Sequence, residues 1–153
     1  RRVELLARRT AAWSAIRPPD DDRSTLVDAA RWLAGRGGFL GTATGLLVEL
    51  GRLDNLDEVA ALCAGRPVVA TRTAERVGTR LRGLREWPDP AVLGETVTRL
   101  AGRGDLAGGL FAVALVRHGA GFGWPAPWRD LLLGLRRHPD PDVRDEAYAI
   151  DMT

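Results

Sequence analysis

The sequence predicts an all-α protein, an α-α superhelix of about four stacked antiparallel helix pairs, and three observations carry that prediction. Apolar residues recur at three- and four-residue spacing along nearly the whole chain, which is the helical period. Breaks rich in Gly and Pro cut this pattern into nine short helices. A helix–break–helix segment then returns later in the chain with a recognisable sequence. The whole of 1–153 is read as one domain.

The first expected helix, Val3 to Ile16, sets Val3, Leu6, Thr10, Trp13 and Ile16 on one face and stops at Pro18-Pro19, because proline cannot continue a helix. Asp22 or Ser24 caps the second, Thr25 to Ala34, which buries Leu26, Ala29, Ala30 and Leu33. Gly35-Arg36-Gly37-Gly38 ends it, glycine being the residue that closes a helix in the left-handed conformation. The third, Phe39 to Leu50, carries Leu40, Ala43, Leu46, Leu47 and Leu50 and is apolar on most sides, the mark of an inner helix.

A fourth runs from Leu56 to Ala64. A fifth opens on Pro67, suited to a first helical turn, and continues to about Arg85 over a stripe of Val69, Thr73, Val77, Leu81 and Leu84. After Trp87-Pro88-Asp89-Pro90 come helices at Ala91–Ala101, Leu106–Arg117, Trp128–Arg137 and Asp142–Asp151.

Laying Leu26–Gly51 over Leu93–His118 matches seven of 26 positions, among them Leu33-Ala34-Gly35-Arg36-Gly37 against Leu100-Ala101-Gly102-Arg103-Gly104. So biased a composition gives roughly two or three by chance. Arg66-Pro67 and His138-Pro139 each precede a further helix. A unit of roughly 35 residues per helix pair is the size from which solenoids are built. One pair cannot bury its apolar face alone, and stacking supplies the partner.

His138-Pro139-Asp140-Pro141-Asp142-Val143-Arg144-Asp145-Glu146-Ala147 resembles the turn and second-helix start of HEAT-type repeats. Trp87-Pro88-Asp89-Pro90-Ala91-Val92-Leu93 resembles the same turn with Leu93 in place of Arg, and Arg17-Pro18-Pro19-Asp20 is a looser echo. The resemblance implies a curved right-handed superhelix that binds other macromolecules, usually proteins.

Composition limits the function. The chain is 45% hydrophobic and 27% charged, ordinary for a globular domain, and has no apolar run near the ~18 residues of a membrane span. All 22 basic residues are Arg, with no Lys and no Gln, a skew that reads as GC-rich coding bias. The pI near 9.4 therefore overstates the case for nucleic acid, since 20 carboxylates bring the net charge to +2. Cys63 is the single cysteine, so no intrachain disulfide forms and a reducing, cytoplasmic setting is expected. The chain opens Arg1-Arg2-Val3 without Met or a signal-peptide pattern, so a segment of a longer protein is expected.

Gly102-x-Gly104-x-x-Ala107 is a loose dinucleotide fingerprint, but a helix, not a strand, is expected before it. Phe111–Val116 followed by Gly119-Ala120-Gly121-Phe122-Gly123 is the one stretch that in isolation fits a strand and a phosphate loop. Trp124 and Trp128 bracket Pro125-Ala126-Pro127; a hydrophobic staple is favoured over an aromatic clamp for a peptide or base. Trp13, Trp32 and Trp87 are read as core or groove fillers. Arg72, Arg76 and Arg80 recur every fourth residue opposite the apolar stripe, and pairing with carboxylates of the neighbouring repeat is favoured over contact with phosphate. His118 and His138 stand at helix ends, where the dipole favours a charged imidazole, and Asp20-Asp21-Asp22 reads as a capped, solvated turn.

No triad, P-loop or zinc pattern is present, and no cofactor or metal is expected. The expected function is a non-catalytic protein- or peptide-binding scaffold, with Arg72, Arg76, Arg80, Trp124, Trp128 and Arg144 as its candidate contacts. A nucleic-acid binder of the HEAT-like, DNA-glycosylase-related class is the alternative, and a small α/β nucleotide-binding enzyme the third.

Overall fold

The computed structural model describes residues 20–51, 53–84 and 88–152. The expected first helix, the echo at Arg17–Pro19 and the positions of Trp13, Arg85 and Trp87 lie outside them. Within them every regular element is helical: α1 (Asp20–Ala34), α2 (Leu40–Leu50), α3 (Leu56–Cys63), α4 (Pro67–Arg82), α5 (Pro90–Ala101), α6 (Leu106–Val116), α7 (Ala126–Leu135) and α8 (Pro141–Tyr148). Two 3-10 turns, Leu53–Asn55 and Arg117–Phe122, complete the set. The protein is all-α over this span, and Phe111–Val116, which alone fits a strand, is the second half of α6.

The boundaries follow local chemistry. Asp89 and Asp140 each cap the helix that their Pro-Asp-Pro turn introduces, accepting N–H groups from Ala91 at 2.7 Å and Asp142 at 3.0 Å. Pro90 and Pro141 then fill the first helical position, where no N–H is needed. Asp105 does the same for α6, taking the Gly108 N–H at 2.7 Å. Such caps are worth about 1 kcal/mol each. α1 departs from expectation, beginning at Asp20 so that Asp22 and Ser24 lie inside the helix. The Gly119–Phe122 stretch, expected as an open connection, winds into a 3-10 turn that closes through left-handed Gly123 and Trp124 (φ 73° and 50°). The Trp124 ring lies on Gly119, where a Cβ would stand 2.6 Å from the ring.

Four of the helices form a row. Arg23, at the start of α1, donates to the Leu50 carbonyl at the end of α2 (2.6 Å), so the two run antiparallel. The even-numbered helices α2, α4, α6 and α8 touch in succession, and their registers show that neighbours run parallel. Thr44 meets Thr73 at 3.1 Å, and further along the same two helices Glu49 meets Arg80 at 4.0 Å. Gly78 faces Ala114, with Arg82 beside His118 one turn on. Gly109 faces Val143, and farther along Arg117 pairs with Glu146. The Thr44–Thr73 and Arg117–Glu146 contacts are each separated by 29 positions, close to one helix pair.

α6 is the centre of the core. Every residue from Ala107 to Val116 is buried, in keeping with the apolar composition of the helix. It packs on α4, α5, α3, α7 and α8. α1 lies at the opposite extreme: Ala30 is fully buried, Leu26 and Leu33 partly, and Ala29, expected inside, is exposed. The broad stripe of α4 is Ala70, Thr73, Ala74, Val77, Gly78 and Leu81, with Val69 and Leu84 only half-buried.

The two aligned segments, Leu26–Gly51 and Leu93–His118, each fold as helix, loop and helix, but they differ residue by residue. The α1–α2 loop is one residue longer than the α5–α6 loop, so the left-handed glycines are Gly38 and Gly104 rather than the aligned Gly37 and Gly104. Gly41 and Gly108, identical in the alignment, differ in setting. A Cβ at Gly41 meets open space, whereas one at Gly108 would lie 2.5 Å from the Leu100 carbonyl oxygen. One Pro-Asp-Pro turn leads into α8, which belongs to the even-numbered row, and the other into α5, which does not.

Candidate functional site

The six residues singled out by the sequence are not brought together. Arg76 and Arg80 lie along the α2–α4 seam, Arg76 donating to the Gly41 carbonyl (3.4 Å) and Arg80 approaching Glu49 (4.0 Å). Arg72 is exposed at the start of that row. Trp124 and Trp128 are buried to 5% and 3% exposure, Trp128 tilted against Phe122 at 5.2 Å between ring centres. They are packing residues of the α6–α7 connection; Trp124 covers Gly119 behind it. Arg144 folds back on its own turn and donates to the carbonyls of His138 (2.8 Å) and Pro139 (2.9 Å). Trp32, expected as a core or groove filler, is 59% exposed, with the Arg36 guanidinium 3.8 Å above its ring.

Arginine chemistry is largely internal. Arg31 binds Glu58 and Asp28, Arg99 binds Asp57, Arg103 binds Asp105 and Arg117 binds Glu146. Three ion pairs join different helices: Arg31 to Glu58, Arg80 to Glu49, Arg99 to Asp57. Guanidinium groups so engaged are poorly placed to form a phosphate-binding stripe.

What the packing does create is a groove on the even-numbered row. It has a volume of about 360 Å³ and is bounded by α4, α6 and α8. Its floor is made by Ala74 and Gly78 of α4 with Leu110 and Ala114 of α6. Most of these floor residues are small, and the two helices lie close there: a Cβ on Gly78 would sit 4.0 Å from that of Ala114. The α4 wall is a stripe of Thr71, Glu75, Thr79 and Arg82, positions three or four apart and so on one face of the helix. Arg117 and Glu146 close the far side, their charges satisfied by each other. Comparison with protein-family models, curated proteins and solved structures finds no match to this chain.

The charges on the α4 wall are not satisfied in this way. Arg82 donates to the Thr79 hydroxyl (3.1 Å) and has no carboxylate partner among the described residues. Glu75 has no cationic partner among the described residues, and its backbone carbonyl accepts the Thr79 hydroxyl. In the sequence Glu75 sits among Arg72, Arg76 and Arg80, yet among the described residues it forms no ion pair with any of them. Its seven-residue spacing from Arg82 is the signal for a shared face, and only the position of α6 makes that face a groove.

The histidines correct another expectation. Burial, with Arg82 nearby, pushes the His118 imidazole below its ordinary pKa. Burial also outweighs the neighbouring Asp140 and Asp105 at His138 and lowers it too. Both favour the neutral form, so desolvation defeats the dipole. Burial likewise raises the Cys63 thiol, which lies against the Thr73 hydroxyl at 3.9 Å. No group of three His, Cys, Asp or Glu side chains suited to a metal occurs among the described residues, and no described helix is long and apolar enough to cross a membrane.

Proposed function

We propose that this chain is a HEAT-like α-α superhelix segment and serves as a non-catalytic interaction module, binding a protein or peptide on the face of its even-numbered helices. The parallel succession α2–α4–α6–α8 carries the reading. Helices that run the same way, with contacts of 29 positions between neighbours, are what translation of one helix pair produces. The Pro-Asp-Pro-x-Val-Arg turn and the groove over α6 support it, the latter because stacked pairs use the surface of one row for recognition. The cytoplasmic, scaffold-like setting belongs to the same proposal. A nucleic-acid role is disfavoured by the carboxylate pairing of Arg31, Arg80, Arg99 and Arg117.

Selection of a displayed random-peptide library against the immobilised chain tests this. Selected peptides should bind the wild type saturably and lose at least about tenfold affinity on Thr79→Trp, which fills the groove from an exposed position. Failure to select any peptide, or duplex DNA binding that falls steeply between about 50 and 200 mM salt, overturns the reading.

A further inference from the structure

Resting on the interaction-module reading, we propose that the α4–α6–α8 groove docks an amphipathic helix of a partner protein. That helix places an acidic side chain on Arg82, a basic one on Glu75 two turns later, and small residues on the floor between them.

Three observations lead to this occupant. The first is charge. Glu75 and Arg82 are exposed on the wall of one groove, and neither has an oppositely charged partner among the described residues. The facing Arg117 and Glu146 neutralise each other, so the groove presents one acid and one base to an incoming segment.

The second is spacing. Seven residues at 1.5 Å each set Glu75 and Arg82 about 10.5 Å apart along α4, on one face. A partner helix with charges seven positions apart repeats both distance and face. An extended strand covers about 10 Å in three residues, which puts the two side chains on opposite faces.

The third is the floor. Ala74, Gly78 and Ala114 hold their backbones near the surface, which lets a second helix approach closely if its own contact residues are small. The groove wall from Thr71 to Arg82 is about 16 Å long, roughly three turns. Direction follows from the macrodipole: an acid is favoured near a helix N-terminus and a base near its C-terminus. The docked helix therefore runs antiparallel to α4.

The probes are two 17-residue alanine/glutamine-based peptides, labelled with fluorescein and followed by anisotropy at low salt. One carries Glu at position 5 and Lys at position 12; the other has the two exchanged. The acid-first peptide is expected to bind the wild-type chain at least about fivefold more tightly. The double variant Glu75→Arg/Arg82→Glu should invert that preference, and each single change should abolish it. Both positions are exposed, and circular dichroism checks that each variant keeps its helices. Equal affinity for the two peptides, or a preference that survives the double reversal, overturns the proposal. If library-selected peptides bind the groove but ignore both substitutions, the helix proposal falls while the module reading stands. If no peptide is ever selected, both fall.

Discussion

The guanidinium of Arg76 lies directly over Gly45, so close that a Cβ on Gly45 would stand 1.5 Å from Nη1 and 2.7 Å from Cζ. Arg76 lies across α2 because that helix offers no side chain there, and it ends on the Gly41 carbonyl. This contact is one of the ties between two parallel helices, and it is soft, since the clashing atoms are the far end of a flexible chain.

Gly45→Ala is therefore expected to change stability by less than about 1 kcal/mol: Arg76 swings out, and the higher helix propensity of alanine offsets the broken tie to Gly41. In an Arg76→Ala background the same change should stabilise by about 0.5–1 kcal/mol. Gly109→Ala makes the contrast. There a Cβ would meet both methyls of buried Val143, at 2.5 and 2.9 Å, and the ring of buried His138. Overpacking of that kind costs about 1–3 kcal/mol. Urea unfolding of the variants checks all three values.

Acid should weaken the fold in two separate windows. The folded pKa values of His118 and His138 are depressed, so below about 6.5 the unfolded chain takes up protons that the folded chain refuses. Their contribution is complete above that pH and is lost as pH falls below it. Asp105 belongs to a lower window. Burial alone raises its carboxyl, but Arg103 and the Gly108 N–H together outweigh burial and hold it below the ordinary carboxylate value. Its contribution is full above about 4 and disappears as pH falls further. Urea midpoints measured from pH 8 to pH 3 should fall in both ranges, and His138→Gln should flatten the upper one.

Removing the Asp105 cap should destabilise by about 1–2 kcal/mol, at the upper part of the range for such caps. The helix it starts is the buried centre of the core, and the partly buried Arg103 loses its carboxylate as well. Asp89→Ala, at an exposed cap, should cost nearer 0.5–1 kcal/mol. Thermal unfolding of the two variants side by side gives the comparison, and equal losses would contradict it.

Cys63 should behave as an inert thiol. It is buried, with its pKa raised by burial, and reactivity follows the exposed thiolate. Labelling by a chromogenic disulfide reagent is expected to be slow in buffer and fast in denaturant, tracking the unfolding curve. Rapid labelling of the folded chain would contradict the packing of α3 on α4.

Helices are legible in the sequence because each carries its own punctuation: Asp89-Pro90, Asp140-Pro141 and the glycines after α1 and α5 act within a few residues of the backbone they direct. The uniform apolarity of Leu106–Val116 likewise announces a central helix. The candidate site is not legible. Arg72, Arg76, Arg80, Trp124, Trp128 and Arg144 draw attention by residue type, yet most of them turn to packing or to the protein's own carbonyls and carboxylates. Glu75 and Arg82 look ordinary until α6 and α8 are placed beside them.

Sequence alone determined the all-helical character and the short-element spacing, because propensity, capping and apolar period act over a turn or two. Tertiary structure decided which arginines are neutralised, that both histidines are held neutral, and where a groove opens. Those outcomes depend on contacts such as Thr44–Thr73 and Arg117–Glu146, 29 positions apart. No local pattern encodes the distance between two side chains that meet only after separate helices have packed.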